Sequence, residues 1–219
     1  MPPLRALVTR PREQAPQLAA ELLAHGFEPV IEPLIAVEPL SDDPIDVAGY
    51  DCVIVTSPNG ARELARRMSA TPARLAAVGP GTAAALEDAE LNADVVAEVH
   101  TQEGLVAALG GEPRRLLFVG AEGARGHLVD ELGADFVAAY RSVELGVTSL
   151  PEADVALLMS ASAARAYARA GGQGPAISIG AQTTAAAREA GVDVVAEAGS
   201  HDVRGLVDSA AAWRASSHS

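Results

Sequence analysis

Short loops rich in Gly, Ser and Thr carry the residue types that bind anions. Each follows an apolar, strand-like run and precedes a helical pattern, so its backbone amides would lie at a helix N-terminus. Small residues let the backbone approach a ligand, and Ser or Thr caps the helix. Capping alone would explain any single loop, but several on one sheet edge predict an anion-binding cleft. Four loops span residues 8–12, 55–60, 78–82 and 179–183, and a weaker one spans 159–162.

Twelve residues of these loops are candidate ligand contacts. Their guanidinium, hydroxyl, side-chain amide or backbone amide groups can all hold an anion. Because the net charge is −13, placed arginines and backbone amides must do so rather than a broad positive field. The candidates are Arg10, Arg12, Thr56, Ser57, Asn59, Gly79, Gly81, Thr82, Ser160, Ser162, Gly180 and Thr183.

Several common kinds of catalytic site are excluded by residue type. All 16 basic residues are arginine, which removes a P-loop lysine, a Schiff-base lysine and a pyridoxal phosphate anchor. The five histidines lack metal-ligand spacing, and the single cysteine, Cys52, lies in a strand-like run as a core residue. Gly79 and Gly81 are followed by Ala84 where a dinucleotide fingerprint has its third glycine. No nucleophile elbow or paired carboxylates stand out, so we expect neither a metal nor a cofactor.

The composition limits which partners the protein can bind and which cellular compartment we expect for it. The sequence pI near 4.7 argues against binding nucleic acid or an anionic membrane surface. The apolar runs are far shorter than the roughly 20 residues that span a bilayer, and the N-terminus does not resemble a secretory signal. We therefore expect a soluble, cytoplasmic protein.

The elements that position these loops occur twice. Residues 51–62 return as 154–165 at an offset of 103, residues 78–85 return at an offset of 101, and residues 94–98 return at an offset of 99. Solenoid repeats run at about 20 to 50 residues, so a period near 100 indicates two similar domains.

Strands and helices alternate throughout, which predicts an α/β fold with parallel sheets covered on both faces. Ten strands, among them 4–8 and 135–140, would make two five-stranded sheets. The same pattern predicts helices at 102–109 and from about 124 to 132, and we expect residues 215–219 to be disordered. Four segments, A (4–34), B (51–109), A′ (114–140) and B′ (154–213), permit two pairings. Tandem domains would be A with B and A′ with B′, whereas an inserted domain would be B with A′ held within A and B′. Periodicity leaves both pairings open. The inserted arrangement needs two linkers that cross between the domains, and two Pro-rich segments, near 34–46 and 141–151, match these linkers.

An ordered set of short motifs resembles the uroporphyrinogen-III synthase family. The motifs are VTRPxxQ at 8–14, TSPN at 56–59, VGPGT at 78–82, AYR at 139–141 and IGxxT at 179–183. The resemblance implies two flavodoxin-like domains joined by a two-stranded linker, with the active site in the cleft between them. Domain 1 would be residues 1–36 and 148–219, and domain 2 would be the inserted residues 40–142.

The resemblance also implies an activity. Members cyclise the linear tetrapyrrole hydroxymethylbilane to uroporphyrinogen III without a cofactor, with loss of water and inversion of ring D through a spiro intermediate. The few side chains of catalytic importance carry over to Thr82, Tyr140 and Thr183, and Tyr140 would hydrogen-bond or protonate the departing hydroxyl. Met159 and Ala161 depart from the second TSPS motif, but Ser160 and Ser162 keep the hydroxyls. We expect a monomer whose only macromolecular contact is transient, with the preceding enzyme of the pathway.

A rival interpretation is a non-enzymatic, two-lobed module that binds a small ligand, such as the sensor of a regulator. It would share paired α/β domains and a hinge. No DNA-binding appendage is visible in the sequence to support it.

Overall fold

A computed structural model describes residues 2–110 and 115–217 of the chain. The chain divides into two compact units, which we call unit 1 (Met1–Ala36 with Val143–Ser219) and unit 2 (Val37–Ser142). The chain therefore crosses between the units twice, at 36/37 and at 142/143.

Unit 1 is built on a five-stranded, fully parallel sheet. The strands are β1 (Leu4–Val8), β2 (Phe27–Ile31), β9 (Val155–Leu158), β10 (Ala176–Ser178) and β11 (Val194–Glu197). Their order in the sheet is β11-β10-β9-β1-β2. Numbered within the unit, this is the order 2-1-3-4-5 of flavodoxin-like sheets.

Unit 2 has a sheet of six strands, one more than the five expected. The strands are β3 (Ile35–Pro39), β4 (Cys52–Val55), β5 (Leu75–Ala77), β6 (Val95–Val96), β7 (Leu116–Ala121) and β8 (Asp135–Glu144). Five of them, in the order β8-β7-β4-β5-β6, run parallel, and β3 is added beside β8 at the sheet edge. The added strand comes from a Pro-rich segment, and Pro39 is tolerated there because an edge strand does not need every backbone donor.

In each sheet, an aspartate and an arginine form the same pair of hydrogen bonds at the start of two neighbouring strands, and we call this pair of hydrogen bonds a clasp. In unit 2 the Asp51 carboxylate accepts from the Arg115 backbone N–H at 2.8 Å, and the Asp51 N–H donates to the Arg115 carbonyl at 2.8 Å. In unit 1, Asp154 and Arg5 form the same pair of contacts, at 2.6 and 2.8 Å. The strand pairing thus joins segment A to B′ and segment B to A′.

Helices cover the sheets and begin where the sequence supplies N-terminal signals. Ser57, Thr101 and Ser160 each accept a backbone N–H three residues ahead, and Pro58 and Pro80 occupy first turns. The helices are α1 (Ala15–Ala24), α2 (Pro58–Arg67), α3 (Pro80–Glu87), α4 (Gln102–Leu109), α5 (His127–Leu132), α6 (Ala161–Arg169), α7 (Ala181–Glu189) and α8 (Val203–Ser217), with a short 3-10 turn at Arg12–Gln14 before α1. None of the helices in the described part of the chain is long and apolar enough to cross a membrane.

Cores form on both faces of each sheet because the central strands have no solvent face. Every residue of β4 and of β9 is buried, as expected for parallel strands covered by helices on two sides. Cys52 is fully buried, in agreement with its assignment to the core. The aromatic side chains are few, so Val, Leu, Ile and Ala supply most of the packing.

Some predicted boundaries are wrong by a few residues. The strand expected at 135–140 continues to Glu144, because β8 extends beside the added strand β3. The helix expected from about 124 begins at His127 after a turn. Disorder expected over 215–219 is wrong for 215–217, which form the last turn of α8, while 218–219 lie outside the described residues.

Adjacent leucines of α1 provide a test of the unit 1 core. Leu22 is fully buried in the cluster that Trp213 also contacts, whereas Leu23 is 62% exposed. We expect Leu22→Ala to lower the free energy of unfolding by about 2–5 kcal/mol, through lost burial and a cavity. Leu23→Ala should stay within about 0.5 kcal/mol of the parent. Urea unfolding followed by fluorescence of Trp213, the single tryptophan, measures both; equal losses would contradict the assigned packing.

Candidate functional site

The loops singled out in the sequence lie at the carboxyl ends of the strands in their own units. In unit 2, Thr56, Ser57 and Asn59 follow β4, and the loop to Thr82 follows β5. In unit 1, Arg10 and Arg12 follow β1, residues 160–162 follow β9, and residues 180–183 follow β10. Because parallel strands end at one edge, each unit collects its candidate residues along that edge.

In unit 2, a serine hydroxyl connects the start of a helix to a buried tyrosine. Ser57 is the N-cap of α2, and its Oγ accepts the Gly60 N–H at 3.0 Å. The same Oγ lies 2.7 Å from the hydroxyl oxygen of Tyr140. Tyr140 pairs with Ala121 at the end of β7, so its side chain lies at the carboxyl edge. The sequence motifs at 56–59 and 139–141 are therefore in direct contact.

The backbone of Gly60 lies close to this contact. A Cβ at Gly60 would lie 3.1 Å from the Val119 carbonyl oxygen, 3.3 Å from Ser57 Oγ and 3.9 Å from a ring carbon of Tyr140. Glycine thus lets the first turn of α2 approach β7 and the tyrosine ring closely.

Tyr140 is held as a neutral phenol. Its side chain is only 6% exposed, and burial raises the pKa of the phenol above its ordinary value of 10, while the hydrogen bond with Ser57 acts in the opposite direction. Burial raises this pKa because it disfavours the charged phenolate. At neutral pH the hydroxyl therefore carries its proton and can donate it or a hydrogen bond.

Two helix N-termini, one in each unit, have matching geometry. α3 begins at the N-cap Gly79 and α7 at the N-cap Gly180, both in extended backbone and neither with a side-chain cap. Thr82 and Thr183 occupy the same place in the first turn, and both are buried. Amides at such N-termini favour negative ligand groups through the helix dipole.

A histidine packs on each of these N-cap glycines. A Cβ added to Gly79 would lie 3.0 Å from Cγ of His100, and one added to Gly180 would overlap the imidazole of His201. These histidines were not among the candidate site residues. The signal was present, because 201 − 100 = 101 is the offset that relates Gly180 to Gly79.

The loop that departs from the family motif keeps its capping geometry. Ser160 accepts the Ala163 N–H at 3.1 Å, as Ser57 does for Gly60. Its Oγ also lies 3.0 Å from Ser162 Oγ. The changes at Met159 and Ala161 therefore leave the helix cap intact in unit 1.

The two candidate arginines of unit 1 differ in environment. Arg10 donates to the Gln14 side chain at 3.3 Å and is partly buried. Arg12 is exposed and borders a cavity of about 230 Å³ in unit 1. The remaining cavity lining comes from Pro11, Glu13, Glu32, Pro33, Ile35, Ala36, Leu145 and Val147.

The remaining candidates of unit 2, Asn59 and Gly81, also follow the carboxyl ends of strands. Asn59 accepts from Arg62 at 3.3 Å on the exposed side of α2. Gly81 lies in the first turn of α3, beside Thr82.

Among residues 2–110 and 115–217, no group of three or more His, Cys, Asp or Glu side chains could hold a metal ion. The chemistry available at these edges is hydrogen bonding by hydroxyls, backbone amides and a phenol.

Comparison with known proteins gives a consistent family. A family model described as uroporphyrinogen-III synthase HemD matches residues 16–208. A putative uroporphyrinogen-III synthase from Methanocaldococcus jannaschii is 26% identical to this chain over 151 residues. The match covers 64% of this chain and 63% of that protein, so it spans less than two thirds of the relative's length. A mutant uroporphyrinogen III synthase from the extremely thermophilic bacterium Thermus thermophilus has a similar fold, with a TM-score of 0.61 at 18% identity over 96% of this chain and 99% of that chain.

The Ser57 contact yields a prediction with a matched control. Ser57→Ala removes a helix cap, which costs about 1 kcal/mol, and also removes the hydrogen bond that lowers the pKa of Tyr140. The pKa of Tyr140 should therefore rise further. Ser160→Ala removes the equivalent cap of α6 in unit 1 and should cost similar stability with no change at Tyr140.

Tyrosine-labelled NMR over an alkaline pH series can follow the three tyrosines individually. Because the folded pKa of Tyr140 is raised, its contribution to stability is complete below about pH 10 and is lost as pH rises towards the folded pKa. A pKa of Tyr140 that is unchanged or lower in Ser57→Ala would refute the contact.

Proposed function

Because the chain belongs to the uroporphyrinogen-III synthase family, we propose that it cyclises hydroxymethylbilane to uroporphyrinogen III, with loss of water and inversion of ring D. The family expectation drawn from the sequence motifs is confirmed. The observation that carries the proposed activity is the family match over residues 16–208, which includes the motifs at 56–59, 78–82, 139–141 and 179–183.

We further propose that the two units act as two flavodoxin-like domains, with unit 2 inserted in unit 1. Two features support this arrangement. The chain crosses twice between the units, once in the segment that holds β3 and once near the end of β8, and these strands are neighbours in the sheet order. Each unit also has its own doubly wound sheet with small polar loops at the carboxyl edge.

Hydroxymethylbilane has eight carboxylates, so a protein that binds it must hold several negative groups. With a net charge of −13 and no lysine, the protein would bind them through helix N-termini and local arginines. The N-termini of α3 and α7, together with Arg10 and Arg12, supply these groups in the proposal. Thr82 and Thr183 would add hydroxyls beside the amides.

In the proposed mechanism, Tyr140 assists departure of the substrate hydroxyl. The neutral phenol donates a hydrogen bond or its proton as the carbon–oxygen bond breaks, and the hydroxyl leaves as water. Pyrrole electrons stabilise the carbon left behind. The substituted α-carbon of ring D then bonds to this carbon and forms the spiro intermediate, whose older bond from ring D to the neighbouring bridge carbon breaks. The freed bridge carbon bonds to the other α-carbon of ring D, and that carbon loses a proton, which balances the proton donated. Ser57 holds the phenol oxygen at 2.7 Å and orients it.

Shape and exclusion of water matter more in such a reaction than a strong nucleophile. The substrate supplies both the leaving group and the attacking carbon. Incubation with hydroxymethylbilane followed by separation of type I and type III products tests the activity. Binding without conversion to the type III isomer would instead support a non-enzymatic ligand-binding module.

The role of Tyr140 predicts a change of product. Hydroxymethylbilane also cyclises unaided to the type I isomer, so Tyr140→Phe should shift the product from type III towards type I. A charge-developing hydrogen bond of this kind is worth about 10- to 1000-fold in rate. Tyr167→Phe is the control, because Tyr167 is also buried but lies in α6 of unit 1. Parent-rate formation of type III product by Tyr140→Phe would remove the assigned role and leave the family assignment standing.

Thr82→Ala and Thr183→Ala should slow type III formation less than Tyr140→Phe does. Amides at the same helix N-termini remain in both variants and can still hold the substrate carboxylates. Rate constants for type III formation, measured for the three variants at equal enzyme concentration, give the comparison. A larger loss in either threonine variant would reverse the assigned order of importance.

Chelation provides a separate test of the chemistry. The proposed reaction uses only side chains and backbone amides, so type III formation should continue at the parent rate after exhaustive dialysis against EDTA. The measurement compares dialysed enzyme with enzyme to which divalent metals are returned. Activity that is lost on dialysis and restored by a metal would reject the cofactor-free mechanism.

A further inference from the structure

Behind the first turn of α7, a row of two hydroxyls and a carboxylate links three elements of unit 1. Thr184 Oγ1, in that turn, lies 2.5 Å from Ser178 Oγ at the end of β10 and 2.5 Å from Glu197 Oε2 at the end of β11. Ser178 is fully buried and Thr184 is 7% exposed, whereas Glu197 is solvent-exposed. We call these three residues the α7 hydroxyl network.

The donors in this network can be assigned by counting hydrogens. A carboxylate oxygen only accepts, and each hydroxyl has one hydrogen to donate. Thr184 therefore donates to Glu197, so its oxygen accepts from Ser178. The Gly180 carbonyl, 3.3 Å from Thr184 Oγ1, is the longer alternative acceptor. The direction runs from Ser178 through Thr184 to Glu197, which ties the helix turn to two strand ends at once.

The second copy of the repeat shows that the fold does not require this network. At the offset of 101, Ser178 and Thr184 correspond to Ala77 and Ala83. The N-cap geometry is nevertheless the same, with φ and ψ of 179° and 178° at Gly79 against 166° and 175° at Gly180. Helix α3 thus begins in the same way without either hydroxyl. A purely structural role leaves the difference between the copies unexplained.

We propose that Ser178, Thr184 and Glu197 are positioning residues that fix the first turn of α7, and with it Thr183, for the reaction. This inference rests on the proposed function. Thr183 directly precedes Thr184, so a shift of Thr184 moves the Thr183 hydroxyl and the amides of the same turn. The two hydroxyls are buried and both are hydrogen-bonded, and such satisfied buried groups hold one arrangement more firmly than packing alone. Small displacements of reacting groups carry large rate penalties.

The asymmetry between the copies fits an asymmetric reaction. The reaction is asymmetric because only one ring of the linear tetrapyrrole is inverted in the product. The α7 hydroxyl network makes one helix N-terminus more rigidly held than its counterpart. It thereby gives unit 1 a feature that the corresponding turn of unit 2 lacks.

Single-turnover kinetics with enzyme in excess over hydroxymethylbilane can test this positioning role. Under these conditions an unfolded fraction of enzyme does not change the rate constant of the bound complex, whereas misplacement of Thr183 does. Thr184→Val should lower the rate constant for type III formation by about tenfold or more. Ser178→Ala should do the same to a smaller degree. The double variant should be no slower than Thr184→Val, because the residues act as one unit.

Thr184→Ser restores the hydroxyl and should recover most of the parent rate constant. Val207→Ala, in the unit 1 core on α8, controls for lost stability and should leave the rate constant unchanged. Parent-like rate constants for both Thr184→Val and Ser178→Ala would overturn the positioning role alone. A parent chain that forms no type III product would overturn the proposed function and this inference together.

Discussion

Both sheets depend on pairing between strands that are far apart in the chain. In unit 1, β1 pairs with β9, and the clasp between Asp154 and Arg5 joins residues 149 positions apart. The Asp51 and Arg115 clasp does the same in unit 2. Each clasp pairs a backbone amide at the start of a central strand with an aspartate carboxylate. Closing such long loops costs entropy, which the burial of β4 and β9 on both faces offsets.

Parallel pairing has a direct consequence for chemistry. It places the ends of consecutive strands at one edge, so loops distant in sequence become neighbours within a unit. Ser57 and Tyr140, which are 83 residues apart, meet there at 2.7 Å. The first turn of α2 comes close there at Gly60, where a Cβ would lie 3.1 Å from the Val119 carbonyl oxygen. The same scaffold in unit 1 carries a different set of contacts, with Ser160 capping α6 and the hydroxyl network behind α7.

Much of the fold was predictable from local patterns. The helix at 102–109 and the strand at 4–8 match their predicted bounds, because Thr101 caps the helix and apolar residues mark the strand. The glycine and serine loops were also found correctly at strand ends. The residue pattern alone did not predict strand β3, since its prolines argue against a central strand and only its edge position beside β8 makes them tolerable; a strand in this linker was implied only by the family resemblance. The histidines on Gly79 and Gly180 were missed because a lone histidine carries no local signature, and their only signal was the offset of the repeat.

By itself, the sequence determined the class of fold, the doubling of the chain and the family, since each follows from periodicity, internal repetition or an ordered set of motifs. Tertiary structure alone decided which segments pair. It also decided which hydroxyls meet: Ser57 with Tyr140, and Ser178 with Thr184 and Glu197. The physical reason is that hydrogen bonds between side chains depend on the register and approach of elements that are distant in the chain. Hydrophobic periodicity specifies which face of an element is buried, but not which partner covers it.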